Sequence, residues 1–354
     1  MNLEYGMDFR KPEYRREVFM RFYEFHLKYK AHPGGVYYAI PMLFDYVKAL
    51  PEQKYWILFL NGCTQNIITT FILFKHFPDI RTADPDEMSK FVGDNWYKLQ
   101  WDMDRRYAKA KIGEMVENYQ QVTNKQQQLF FSNYNGEYVN PKVNFFNTWQ
   151  VVINNFKYFG RLSTFSYLEY LKIGGLNIEC DTLFLDDING SKSHRNGICK
   201  VMGRDDLDCT KENPVKYTDE LISQIIDWGK DLLSEAKERI NHKDVNYFTL
   251  ESTLCCYKSW FRKNRRYPNV YNDMFAERIQ WSLDNFQDKE VEIFWKFREK
   301  TLPDNLRIEL NSRDVGIKPD KQNHFRNTGE VIMMNQEWEC FKNTYNDYTD
   351  KGVL

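Results

Sequence analysis

Apolar residues recur along this chain at intervals of three and four, the spacing of helices that bury one face. The clearest stripe runs through residues 218–241, where Leu221, Ile225, Leu232, Ala236 and Ile240 share a face and Ile222, Ile226 and Leu233 lie beside it. Thr218 suits the start of that helix because its hydroxyl can cap backbone N–H groups. Asp219 and Glu220 complement the positive end of the helix dipole. The same spacing predicts helices over 18–29, 56–77, 108–122, 162–173, 245–260, 271–286 and 291–297. Sustained alternation is missing, and only 136–143 and 307–310 read as short extended pieces. The expected class is therefore mostly α with few short strands. Past Pro303 the chain turns polar. Residues 316–330 read as an irregular connection, followed by one short helix around 335–343. Residues 1–302 are expected to form the helical body, and 303–354 a tail that wraps it or is partly mobile.

Composition narrows the function classes. With 42% hydrophobic residues, nine Trp, 23 Tyr and 26 Phe, the 354-residue chain can bury a large core. Most of those rings belong in it, leaving some to line a pocket or stack on bases. A net charge of −1 excludes a globally basic nucleic-acid binder, so any such binding rests on local patches. Two basic patches stand out, at 192–204 and 258–266. Seven cysteines without a CxxC pair fit reduced thiols in a cytoplasmic protein, and six scattered histidines suggest no metal set. The polar N-terminus lacks the pattern of a signal peptide. The apolar run 67–74, broken by Thr69 and Thr70, is too short to span a bilayer. No GxxxxGK[ST] loop is present, which disfavours a nucleotide kinase.

Three stretches carry chemistry. Within 56–79 an apolar pattern is interrupted by Asn61, Thr64, Gln65 and Asn66, placing amides where a core would hold leucine. Such groups either tie helices together in a polar network or face a substrate. Residues 178–208 read as a long functional loop, concentrating Asp181, Asp186, Asp187, Lys192, His194, Arg195 and Arg204 in a glycine-punctuated segment. Its embedded Leu183, Phe184, Leu185, Ile198 and Val201 argue for order. In the third stretch, Glu251 and Lys258 recur two helical turns apart on one face, ahead of Arg262, Arg265, Arg266 and Tyr267.

FLNGCTQN and FKHFPD within 59–79, YAKAKI at 107–112, FGRLS at 159–163 and IECDT at 178–182 resemble, in order and spacing, the helix-hairpin-helix DNA glycosylases. The glycine pair of that hairpin is degraded here. A narrower resemblance runs through NGCTQN, DDINGSKSHRNGICKVMGRDD and ESTLCCYKSWFRKNRRYPNVYNDM. These are similar to the phage amino acid:DNA transferases, also called alpha-glutamyl/putrescinyl thymine pyrophosphorylases.

The resemblance implies a glycosylase-like helical fold and an enzyme acting on double-stranded DNA that carries a modified thymine. The base would be 5-pyrophosphoryloxymethyl-uracil, flipped from the duplex. A free amino acid of the glycine, serine or glutamate class would displace pyrophosphate from it. On that basis Asn61, Thr64, Gln65 and Asn66 would hold the base. Ser191, Lys192, Ser193, His194 and Arg195 would hold the pyrophosphate, with Gly190 and Gly197 admitting its oxygens to the backbone. Asp181 is the first choice of catalytic base by its place in the glycosylase-like order, followed by Asp186 and Asp187. The latter two are an alternative Mg²⁺ pair. Glu251 would hold the amine and Lys258 or Arg262 the carboxylate of the amino acid, while Arg265, Arg266 and Tyr267 contact DNA phosphates. Two alternatives stay open: a glycosylase cutting a modified pyrimidine, and a non-catalytic DNA-binding protein.

Overall fold

The computed structural model describes residues 9–133, 140–262, 267–303 and 306. They hold fourteen α-helices: α1 (Arg15–Lys28), α2 (Val36–Tyr46), α3 (Pro51–Thr64), α4 (Ile67–His76), α5 (Pro85–Asp94), α6 (Ile112–Thr123) and α7 (Gln127–Ser132). The remainder are α8 (Pro141–Asn155), α9 (Arg161–Ile173), α10 (Lys192–Val201), α11 (Asp219–Arg239), α12 (Tyr247–Trp260), α13 (Val270–Asn285) and α14 (Ile293–Thr301). No strand occurs among the described residues, so the protein is mostly α. The extended piece expected at 136–143 is in its last three residues the first turn of α8, because Asn140 caps Lys142 N and Pro141 stands at the first helical position. Residues 136–139, the piece at 307–310, the helix at 335–343 and nearly all of the tail lie outside the described residues.

The described helices group into two compact units. One takes in Met1–Pro33, Thr182–Ala276 and Thr301–Leu354, the other Gly34–Asp181 and Glu277–Lys300. In the first unit α10 packs closely along α12, with α1 and α11 against them. Gly197 makes that approach possible: a Cβ there would stand 2.6 Å from Leu254 O and 2.9 Å from Leu254 Cβ. This glycine serves helix contact, whereas the sequence reading assigned it to phosphate approach. The core around it joins Phe19, Phe22, Leu183, Leu185, Ile198, Leu232, Leu254 and Tyr257. The stripe on α11 contributes Ile225, Leu232, Leu233 and Ala236, and Thr218 caps the helix by accepting from Leu221 N at 3.2 Å.

The second unit packs α3 against α9 and α4, with α8 on α9 and α5 on α6. Its core is aromatic: Phe59 and Tyr119 stack at 3.6 Å between centroids, and Trp56, Phe156, Phe159 and Tyr167 surround them. Residues 56–77, expected as one helix, are two. Gln65 adopts a left-handed backbone (φ 50°) that ends α3, and Asn66 restarts the chain as the N-cap of α4. Two short helices with polar connections cost little when each buries its own apolar stripe.

One buried group in the first unit makes stability pH-dependent. His26 is fully buried among Phe22, His32 and Tyr271, and burial pushes its imidazole down to about 3. The unfolded chain takes up that proton near pH 6.5 and the folded chain resists it. The stabilising contribution is therefore whole above pH 6.5 and is lost progressively as pH falls toward 3, at about 1.4 kcal/mol per pH unit. His26→Phe should flatten the acid limb of a urea-denaturation series by that slope. An identical limb in both proteins would contradict the assignment.

Candidate active site

Two sets of polar groups stand out, one in each unit. In the second unit the set is built on the break between α3 and α4. Asn66 Oδ1 accepts from Ile68 N and Thr69 N, both at 3.1 Å, and its Nδ2 donates to Asp102 Oδ2 at 3.0 Å. Arg278 completes that link by donating to Asp102 Oδ1 at 2.9 Å. Thr64 Oγ1 bonds Thr70 Oγ1 at 2.8 Å and Asn66 O at 3.1 Å, and Thr70 donates to Asn61 Oδ1 at 3.2 Å. Thr64 and Asn66, expected to hold the base, are thus engaged in holding the turn.

Gln65 and Asn61 differ. Both side chains are buried, yet Gln65 Oε1 and Nε2 and Asn61 Nδ2 find no hydrogen-bond partner in the protein. An unpaired buried amide costs roughly 1–3 kcal/mol, so a fold keeps one at a site where something else pairs with it. The segment of chain beside this turn adds three more such atoms: Gln100 Oε1, Trp101 Nε1 and Asp104 Oδ1. It is tied to the turn by Thr69 Oγ1 donating to Gln100 O (2.7 Å) and Asp102 N donating to Thr64 O (3.0 Å). Burial raises the Asp104 carboxyl above the ordinary range, despite Arg105 beside it.

Arg105 is itself buried, donating to Cys63 O at 3.2 Å and Tyr158 O at 2.6 Å with its plane over Phe159. Three non-glycine residues near Arg105 or its partners in sequence hold left-handed backbone: Gln65, two residues past Cys63, Met103 (φ 47°), two residues before Arg105, and Tyr158 (φ 64°), whose carbonyl Arg105 holds. Backbone strain of this kind concentrates at functional sites. Residues 100–104 were missed by the sequence reading because they lie between periodic stripes and match no motif.

In the first unit the set lies where α10 meets α12. Ser191, at the N-cap of α10, donates to Phe184 O at 2.5 Å. His194 follows in the first turn and is buried. Its Nε2 stands 2.8 Å from Leu183 O and its Nδ1 3.0 Å from Glu251 Oε1. One turn along α12, Cys255 Sγ donates to the same Glu251 oxygen at 3.6 Å. One turn further, Lys258 Nζ donates to Ser193 Oγ at 3.0 Å. The structure therefore brings together Ser193, His194, Glu251 and Lys258 from two distant stretches, with Cys255, which shares the Glu251–Lys258 helix face by its spacing, beside them.

The remaining candidates have other surroundings. Arg195 is buried, donates to Leu185 O (3.2 Å), Asp187 O (3.1 Å) and Ile188 O, and stacks on Tyr217. It clamps the loop before α10. Asp187 Oδ1 accepts from Gly190 N at 2.8 Å, closing a turn, while Asp181, Asp186 and Lys192 are exposed. Arg262 donates to Asp208 Oδ1 at 2.5 Å, and Tyr267 is buried with its hydroxyl on Asp273. Arg265 and Arg266 lie outside the described residues. Every described cysteine is a free thiol, and no described helix is long and apolar enough to cross a membrane.

Residues 40–267 match the family model of the amino acid:DNA transferases. The chain is also 28% identical over 334 residues to the serinyltransferase of Salmonella phage ViI, covering 87% of this chain and 78% of that protein. No solved structure matches. The chain belongs to the amino acid:DNA transferase family and is an enzyme that transfers amino acids onto DNA.

Proposed function

We propose that the enzyme joins an amino acid to the exocyclic methylene carbon of 5-pyrophosphoryloxymethyl-uracil in double-stranded DNA, releasing pyrophosphate. The bond formed runs from the amino acid's nucleophilic nitrogen or oxygen to that carbon. The bond broken is the carbon–oxygen bond to pyrophosphate, which leaves with the electron pair. The nucleophile's proton passes to a carboxylate of the Asp181, Asp186 and Asp187 set. Serine heads the glycine, serine and glutamate class of acceptors to be tested, since the phage relative is a serinyltransferase.

The observation that carries the base assignment is the unpaired Gln65 amide. A pyrimidine of the uracil type offers an N3–H donor flanked by carbonyl acceptors. One side-chain amide, with a donor and an acceptor side by side, pairs with that edge in a bidentate manner. A base reaches such a group only after leaving the stack, which also exposes its exocyclic carbon. Asn61 Nδ2 supplies a further donor in this reading. In the first unit, Lys258 with Ser193 supports binding of an anionic group, the carboxylate of the amino acid, while Arg262 is directed to Asp208. Arg265 and Arg266 supply phosphate contacts that position the duplex without reading sequence.

The test is product analysis. Duplex DNA carrying the pyrophosphorylated base is incubated with enzyme and each amino acid in turn, then digested to nucleosides for mass spectrometry. The expected product is a nucleoside bearing the amino acid, with one pyrophosphate released per event. Abasic sites would replace this reading with a glycosylase, and unchanged nucleosides with every amino acid would reject it.

A further inference from the structure

We propose that His194, Glu251 and Cys255 form a binding site for a divalent transition-metal ion of the zinc class. The geometry of His194 starts the case. A carbonyl oxygen only accepts, so the hydrogen on the ring stands on Nε2, 2.8 Å from Leu183 O. The bond at Nε2 aims the other ring nitrogen, Nδ1, at Glu251 Oε1, 3.0 Å away. A metal cation bound by Nδ1 and Oε1 would take the place of the proton that otherwise joins such a pair. The Cys255 sulfur stands 3.6 Å from the same oxygen, and all three ligand atoms lie within 4.8 Å of one another.

The donor set indicates which ion. Thiolate and imidazole favour zinc-like ions, whereas Mg²⁺ and Ca²⁺ take oxygen ligands. Metal–ligand bonds of about 2.0–2.3 Å set tetrahedral donor–donor separations of roughly 3.3–3.8 Å. The observed 3.0 and 3.6 Å lie within a few tenths of an ångström of that range, and the third separation, nitrogen to sulfur, is no more than 4.8 Å, within reach of a side-chain adjustment. The bond from Nε2–H to a backbone carbonyl is also the arrangement metal-bound imidazoles adopt, because it fixes the tautomer and aims the other nitrogen.

The frame around the cluster suits a preformed site. Glu251 and Cys255 are four residues apart on α12, His194 is in the first turn of α10, and Gly197 holds the two helices in close contact. Rigid packed helices place ligands more accurately than loops do. Three protein ligands leave one coordination position open, as in sites that take a water or a substrate atom. Asp186 and Asp187, the pair considered for Mg²⁺, belong to no such three-ligand cluster among the described residues.

The full-length protein, purified from zinc-supplemented cells without chelator, should retain about one zinc per chain after dialysis, measured by elemental mass spectrometry. Exchange into Co²⁺ should give tetrahedral d–d absorption together with a thiolate-to-cobalt charge-transfer band. Cys255→Ser should lose that band, and Glu251→Gln should weaken zinc binding at least 100-fold in a chelator competition. Circular dichroism and thermal melts identify any variant that fails to fold, and the wild-type cobalt spectrum stands without them. A wild-type protein that holds no zinc, or a cobalt complex lacking the thiolate band, overturns the proposal. So does unchanged zinc affinity in both folded variants. None of these readouts requires transferase activity, so a failure here is distinguishable from a failure of the substrate assignment.

Discussion

Gln65→Leu is expected to lower amino acid transfer by two to four orders of magnitude while leaving the protein as stable as the wild type or more so. The two effects share one cause. In the protein alone the Gln65 amide is buried with both of its polar atoms unpaired, and a leucine of similar size removes that desolvation penalty. The expected gain is about 1 kcal/mol, with no change in the left-handed backbone cost, since both residues carry a Cβ at φ 50°. On the proposed base assignment the same change would delete the bidentate partner of the base and leave the pyrimidine's own donor and acceptor facing hydrocarbon. Sites built to hydrogen-bond a substrate reject a mismatch by factors of 10⁴–10⁵. The expected loss is set lower because Asn61 keeps one donor in place. The measurements are a thermal melt and the rate of product nucleoside formation. A melting temperature that falls together with activity would make Gln65 a structural residue and withdraw it from the base site.

This stability–activity opposition separates Gln65 from its neighbours. Thr64 and Asn66 are bonded within the turn, so their loss would lower stability first and activity as a consequence. Sequence alone could not make that distinction. The quartet of polar residues in an apolar pattern was visible, but which members face one another and which face nothing depends on a left-handed residue at position 65. Nothing in its side-chain chemistry announces that conformation, since glycine or asparagine is the usual marker.

The first unit teaches a related lesson. Helix α11 was legible because stripe, cap and acidic first turn all agree. Helix α10 was not: Ser, His, Asn and Gly within 191–197 are weak helix formers and read as loop chemistry. The helix forms because its buried face packs on α12, and Gly197 is present for that contact. Arg195 shows the limit of residue type as evidence. A guanidinium suits a pyrophosphate and a set of loop carbonyls equally well, and only its burial and partners decide between them. Glu251, Cys255 and Lys258 announce a common helix face by spacing. Their meeting with His194 and Ser193 required the fold, because the two stretches are far apart in sequence.

The second large effect is expected at Lys258. Lys258→Met keeps most of the aliphatic stem and removes the ammonium, so stability should change by less than about 1 kcal/mol. The Michaelis constant for the amino acid should rise roughly 30- to 100-fold, the worth of one charge-assisted hydrogen bond to a carboxylate in a half-buried place. The turnover number should fall by a smaller factor, because the interaction holds the substrate in both ground and transition states. Lys258→Arg restores the charge on a longer, planar head and should recover part of the affinity. Ser193→Ala removes the hydroxyl that steadies Lys258 at 3.0 Å and should have a milder effect of the same kind. Steady-state kinetics with the amino acid varied at saturating modified DNA separates the cases. If Lys258→Met lowers turnover and leaves that Michaelis constant unchanged, the lysine does not hold the amino acid. Its charge would then serve the departing pyrophosphate, whose developing negative charge needs a cation only as the carbon–oxygen bond breaks.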